Sequence, residues 1–187
     1  MDDETSTGPA NEEGSTTRPE PRPAAVRKAD VLKRLSAPVP DAWVATATTT
    51  EAAPATKAAP ATKAATEAAG VPYLVPLTLA WLRERIVLAT DGRTRTAVNL
   101  TASGVARIAL GPTRDVIMID ATLEETFPVT AAPSWVGDGY AAGTDWDPRQ
   151  TGATYVYLIL RPDRIQAWRE ENEIADRTLM REGAWLV

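Results

Sequence analysis

The chain has 187 residues, 44% of them hydrophobic, and a formal net charge of -5, a length that supports one domain with a core of its own. It contains neither cysteine nor histidine, which excludes disulfides, thiolate nucleophiles, histidine-based triads and Cys- or His-ligated metals. The negative balance argues against a nucleic-acid surface, and an enzyme of this composition must work through carboxylates, lysine, tyrosine or a borrowed cofactor.

Residues 1–25 are polar, Pro-rich and acidic and show no hydrophobic periodicity, which predicts a disordered tail. The acidic start has no apolar signal-peptide segment behind it and no run of about 18 apolar residues follows, so the expected location is cytoplasmic. The folded domain is expected over 26–187. From Val26, the apolar spacing of Ala29, Leu32 and Leu35 predicts a short amphipathic helix, stopped by Ser36 and Pro38. Asp41 to Ala47 reads as a first strand. Residues 48–69 repeat the hexad Ala-Pro-Ala-Thr-Lys-Ala; Pro54 and Pro60 break any helix the alanines favour, which predicts a low-complexity loop insert. Loop-closure entropy grows by only about 0.6 kcal/mol per doubling of length, so a hairpin tolerates such an insert.

After Gly70, Tyr73, Val75, Leu77, Leu79 and Trp81 alternate with Leu74, Pro76, Thr78 and Ala80, the period of a strand. Pro72 and Pro76 put it at an edge or bulge, or leave its carbonyl side open to a ligand. A turn over Leu82 to Arg85 leads into a strand over Ile86 to Thr90, stopped by Asp91-Gly92. Arg93 to Ser103 reads as a helix closed by Gly104. Further strands are predicted over Val105 to Leu110, Val116 to Glu124 and Tyr155 to Trp168. Phe127 to Gln150, rich in Gly, Pro, Trp and Asp, reads as a long ordered loop with room for a helical turn. Glu170 to Glu173 reads as the acidic first turn of a helix. Mostly strands separated by turns, with few helices, imply a mainly β (α+β) chain forming an antiparallel barrel of about six strands.

The residues richest in chemistry join a strand end to a helix start. Arg93 and Arg95 lie in or beside a first helical turn, where the positive end of the dipole disfavours cations by about 0.3–1 kcal/mol unless an anion compensates. Thr90, Thr94 and Thr96 add hydroxyls, the helix end adds backbone N–H groups, Gly92 permits close approach, and Asn99 follows Arg95 by one turn; together they read as a phosphate cradle. The competing explanation is structural: two arginines solvating a loop, a threonine N-cap and a polar helix face. Asp138, Asp145 and Asp147 lack the ligand alternation of a calcium loop and read as turn formers. Among six tryptophans, Trp146 and Trp185, in a loop and a tail, are the stronger candidates for stacking on a planar ligand.

Pro72 to Thr78, Ala89-Thr90, Thr94-Arg95-Thr96 and Asn99-Leu100 resemble the pattern Pro-x-x-Val-Pro followed by Ala-Thr and Ser-Arg-Lys-x-x-Asn-Leu in pyridoxamine 5'-phosphate oxidase-like proteins. Arg161 to Trp168 resembles their last strand. The resemblance implies a split β-barrel, a homodimer, and FMN or the deazaflavin F420 bound at the dimer interface. The cofactor phosphate is then expected on Thr94 and Arg95, and the ring against Val75, Pro76, Leu77 and Thr78. Thr96 stands where the pattern has lysine, so one phosphate charge is missing unless Arg93 supplies it. The resemblance implies an oxidoreductase in which the cofactor carries the hydride to a small molecule, with no catalytic side chain required. The rival expectation is a split barrel kept as a non-catalytic flavin- or haem-binding module.

Overall fold

The computed structural model describes residues 20–48 and 70–187. Residues 1–19 of the expected tail and 49–69 of the expected insert lie outside the described residues. Among these residues eight strands and three α-helices follow one another: α1 (Ala24–Leu35), β1 (Asp41–Ala47), β2 (Pro72–Leu82), β3 (Arg85–Asp91), α2 (Arg95–Ser103), β4 (Val105–Leu110), β5 (Val116–Pro128), α3 (Ser134–Gly143), β6 (Tyr155–Trp168), β7 (Thr178–Arg181) and β8 (Ala184–Trp185). All pairings are antiparallel. The order β3-β2-β1-β4-β5-β6 closes through an additional β3–β6 pairing, so six strands make a barrel, and β7 and β8 extend from β6.

Alternation decides what fills the barrel. Val44, Leu79, Ile86, Leu88, Ile108, Ile119, Leu158 and Leu160 point inward and are fully buried. Full burial of one such side chain stabilises the fold by about 1.5–3 kcal/mol. The apolar run Ile86-Val87-Leu88-Ala89 does not alternate with polar residues because both faces of β3 are covered: Ile86 and Leu88 face the barrel, while Val87 and Ala89 meet Val136 and Tyr140 of α3. α3 corrects the expected loop over Phe127 to Gln150. Its three glycines depress helix propensity, but burial of Val136 and Tyr140 against the sheet outweighs local preference. β5 also runs four residues past Glu124, two register irregularities letting it bend along β6.

The turn between β2 and β3 has two residues, Arg83 and Glu84, at φ 52° and 60°, the conformation of a type I′ hairpin normally given to Asn-Gly. Glu170 to Glu173 does not open a helix. A single 3-10 turn over Glu171–Glu173 is followed by the β7–β8 hairpin, which buries Leu179 and Met180. A four-residue strand is too short for its periodicity to show in the sequence. α1 begins at Ala24 and buries Val31 and Leu35 in the core. No helix among the described residues is long and apolar enough to cross a membrane.

Candidate functional site

β2 is shared between two neighbours. Its first seven residues, Pro72 to Thr78, pair with β1, whereas pairing with β3 begins only at Leu79. The barrel is split there, and one edge of Pro72 to Thr78 is left open. Leu79 N–H donates to Pro40 O of the incoming β1 at 3.0 Å, so odd-numbered residues of β2 direct their backbone groups to β1 and even-numbered residues to the open edge. Two of those even positions are Pro72 and Pro76, which have no N–H to leave unpaired. The open edge therefore presents mainly carbonyls, and one of these, Thr78 O, accepts from the Tyr140 hydroxyl at 3.3 Å.

α2 starts beside this opening. Thr94 is its N-cap: the hydroxyl accepts from Ala97 N–H at 3.3 Å and lies 3.2 Å from the Thr90 hydroxyl at the end of β3. The first-turn amides of Arg95 and Thr96 have no carbonyl within the helix to receive them. At the other end Gly104, at φ 72°, accepts the left-handed cap conformation and donates to Leu100 O. Asn99 does not join the cradle. It is buried, and its amide donates to the Thr46 hydroxyl of β1 at 3.2 Å, fixing the helix to the barrel. Thr96 is buried on the same inward face. The position of the motif's lysine thus offers a backbone N–H but no outward side chain.

The two arginines divide. Arg93 sits in the turn before α2 and closes a fork on Asp91, with Nε to Oδ1 at 2.9 Å and Nη2 to Oδ2 at 2.8 Å. Asp91 also accepts from Arg93 N–H and the Thr154 hydroxyl, and these donors hold its carboxyl well below the usual carboxylate range, with the Arg93 side chain contributing most. Arg93 is therefore already neutralised. Arg95 is exposed, has no carboxylate partner among the described residues, and lies with its guanidinium carbon 5.2 Å from the centroid of the Tyr73 ring. A Cβ on Gly92 would meet Thr154 O and Val156 at 3.4 Å, ordinary contact, so the fold does not demand that glycine.

The strand segment expected to lie against a ring is mixed in exposure. Pro76 is exposed, Val75, Leu77 and Thr78 are half-buried, and the Thr78 hydroxyl donates to Asp41 at 2.8 Å. The tryptophans singled out from the sequence are engaged internally. Trp146 packs edge-on against Tyr140 and Tyr155 and donates Nε1–H to Thr151, and Trp185 lies under Lys28 against the main core. The exposed tryptophan is Trp43 of β1, opposite Pro76 and 52% accessible. It shares the outer face of β2, β1 and β4 with exposed Leu74 and Val105. Alternation marks Trp43 as outward once inward Ala42 and Val44 are recognised, but nothing in the sequence tells that this face lacks a covering helix. Asp138 and Asp147 both bind Arg149.

No family model matches the chain, and no curated protein matches it in sequence. Solved structures do match. A heme binding protein from Mycobacterium smegmatis superposes with a TM-score of 0.51 at 19% identity over 87% of this chain; the chain spans 59% of that protein's length. An F420 reductase matches with a TM-score of 0.48 at 16% identity, over 71% of this chain and 93% of the other. A pyridoxamine 5'-phosphate oxidase-related, FMN binding protein from Nostoc punctiforme matches with a TM-score of 0.41 at 13% identity, covering 77% and 78%. Identities this low speak to the fold alone, a split antiparallel β-barrel.

Proposed function

We propose that this protein binds a phosphorylated flavin-type cofactor, FMN or F420, where the open edge of β2 meets the N-terminus of α2, and that it acts as an oxidoreductase on a small molecule. The observation that carries this reading is Arg95. An exposed guanidinium with no carboxylate partner among the described residues stands at the end of a helix where cations are disfavoured, beside two hydroxyls and the first-turn amides. A phosphate satisfies all of these groups at once.

The residues present fit the group. Arg95 and the amides of Arg95 and Thr96 would hold the phosphate, Thr90 and Thr94 would donate or accept at its margin, and the carbonyls along Leu74 and Pro76 would meet the polar edge of the ring system. When bound, the cofactor supplies hydride transfer, which a chain without His or Cys does not need to provide from its side chains. Pro72 and Pro76 remove two of the four N–H groups that the edge would otherwise present and so disfavour further strand addition there. The outer face carrying Trp43, Leu74 and Val105 adjoins this edge, and a second copy of the chain covering it would complete the cofactor groove in a homodimer.

A second reading keeps the split barrel as a flavin- or haem-binding module without turnover. It is favoured by the net charge at the cradle, where Asp91 cancels Arg93 and Thr96 replaces lysine, leaving Arg95 alone. The heme binding protein that matches in fold gives the haem alternative its place. Titration of the purified protein with FMN, F420 and haemin, followed by fluorescence quenching and absorbance, separates the readings. Saturable binding of FMN or F420 with reduction by a hydride donor supports the enzyme; binding of haemin alone, or of flavin that is never reduced, supports the module.

A further inference from the structure

Away from the split, α1 roofs a cavity of about 560 Å³ over the ends of β5 and β6. Val31, Ala37, Pro38, Ile117 and Ala167 give it apolar walls, and five cations line it: Arg22, Arg27, Lys33, Arg34 and Arg169. Among the described residues, the carboxylates that meet them are Asp30 and Asp115 in the wall and Glu173 behind Arg22, three against five cations.

The shortage shows in the pairing. Asp115 alone serves Arg34 at 3.1 Å, Arg169 at 3.1 Å and Arg22 at 3.7 Å. Arg27 has only 3% of its surface accessible, yet no carboxylate among the described residues pairs with it. It donates instead to three backbone carbonyls, those of Arg22, Ala167 and Asp176. Buried cations are normally paired with anions, because desolvating one costs several kcal/mol. The turn before β5 is also shaped around this wall: Gly111 sits at φ 88°, and a Cβ there would fall 2.5 Å from Arg34 Nη1.

We propose that this cavity binds a small organic dianion, a phosphate monoester or a dicarboxylate, with its charged head among Arg34, Arg169 and Arg27 and its apolar body against Val31 and Ile117. Guanidinium forks match both head groups, the volume falls in the range of small-ligand pockets, about 300–1,000 Å³, and two charges restore neutrality. This site is separate from the cradle at α2 and does not depend on it.

The test is calorimetric titration of the full chain with phenyl phosphate and with phthalate, and with phenol as the neutral control. Saturable binding of either dianion with Kd below about 1 mM is expected, the affinity of a few charge-assisted hydrogen bonds, and the tighter dianion identifies the head group. Arg34→Gln and Arg169→Gln, both at the partly exposed rim, are each expected to weaken binding about tenfold or more, with thermal melting as the check that each variant is folded. Arg95→Ala is expected to leave this binding unchanged. The proposal is overturned if neither dianion binds better than phenol, if both rim variants bind as the parent does, or if Arg95→Ala abolishes the binding.

Discussion

Arginine is used in opposite ways at the two ends of this molecule. Where α1 meets the end of β6, Arg22 is folded into structure: it donates to Glu173 through Nε and Nη2 and to Asp30 through Nη1, joining the segment before α1 to the turn before β7. At the start of α2, Arg95 is held out beside the ring of Tyr73 with no carboxylate partner among the described residues. The difference lies in the neighbours and not in the residue. A guanidinium surrounded by carboxylates adds to stability, whereas one presented on an open ledge adds to recognition.

Replacing Glu173 by Ala tests the first half of this contrast and carries the largest expected effect. Removing one member of a buried pair strands the other, at a cost of about 3–5 kcal/mol, read as a lower denaturant midpoint at unchanged slope. Arg95→Ala tests the second half. Cofactor affinity is expected to fall by about 1.5–3 kcal/mol, the scale of charged hydrogen bonds, while stability moves by less than about 0.5 kcal/mol as for other surface substitutions. A large loss of stability in that variant would place Arg95 with the structural arginines.

Acid sharpens the comparison. The Arg22 side chain, with backbone N–H groups of Arg22 and Arg169, draws the Glu173 carboxyl from 4.5 down to about 2. A depressed folded value means that the stabilisation is complete above the unfolded value and is lost as pH falls from about 4.5 through about 2, by on the order of 2 kcal/mol. Glu173→Gln is expected to flatten that part of the stability profile. The β2–β3 turn supplies a control that involves neither Arg22 nor Arg95. Exchanging Arg83-Glu84 for Asn-Gly suits the positive φ angles and is expected to raise stability by about 1 kcal/mol without altering ligand affinity. The smallest effect is expected from Asp91→Asn, which releases Arg93 from its fork; FMN affinity is expected to rise about two- to fivefold, because exposed ion pairs contribute little.

Most of the barrel was legible in the sequence. β2 follows from period two, β1 from its aromatic and β-branched residues, β3 as the apolar run after the turn at Arg83-Glu84, and β4 from its stop at Gly111. α3 was not legible, since three glycines in ten residues mask a helix that only the sheet beneath it stabilises, and β7 was too short to show a period. At the cradle, the capping role of Thr94 and the outward Arg95 follow from position along the helix. The burial of Asn99 and Thr96 does not, because which face of a nine-residue helix turns inward is settled by contacts with β1, some 50 residues away in sequence. The Arg93–Asp91 fork lies within three residues and was readable in principle. The excess of cations beneath α1 among the described residues was not, because Arg22 and Arg34 meet Arg169 only where α1 docks at the end of β6.

The most direct measurement is a fluorescence titration of the protein and its Arg95→Ala variant with FMN and with F420 at matched ionic strength. The expected result is saturable, micromolar or tighter binding of one cofactor by the parent chain, weakened at least tenfold in the variant while its melting temperature is retained. Equal affinity in the two proteins, or no saturable binding of either cofactor by the parent, would contradict the assignment of the α2 N-terminus as a cofactor phosphate site.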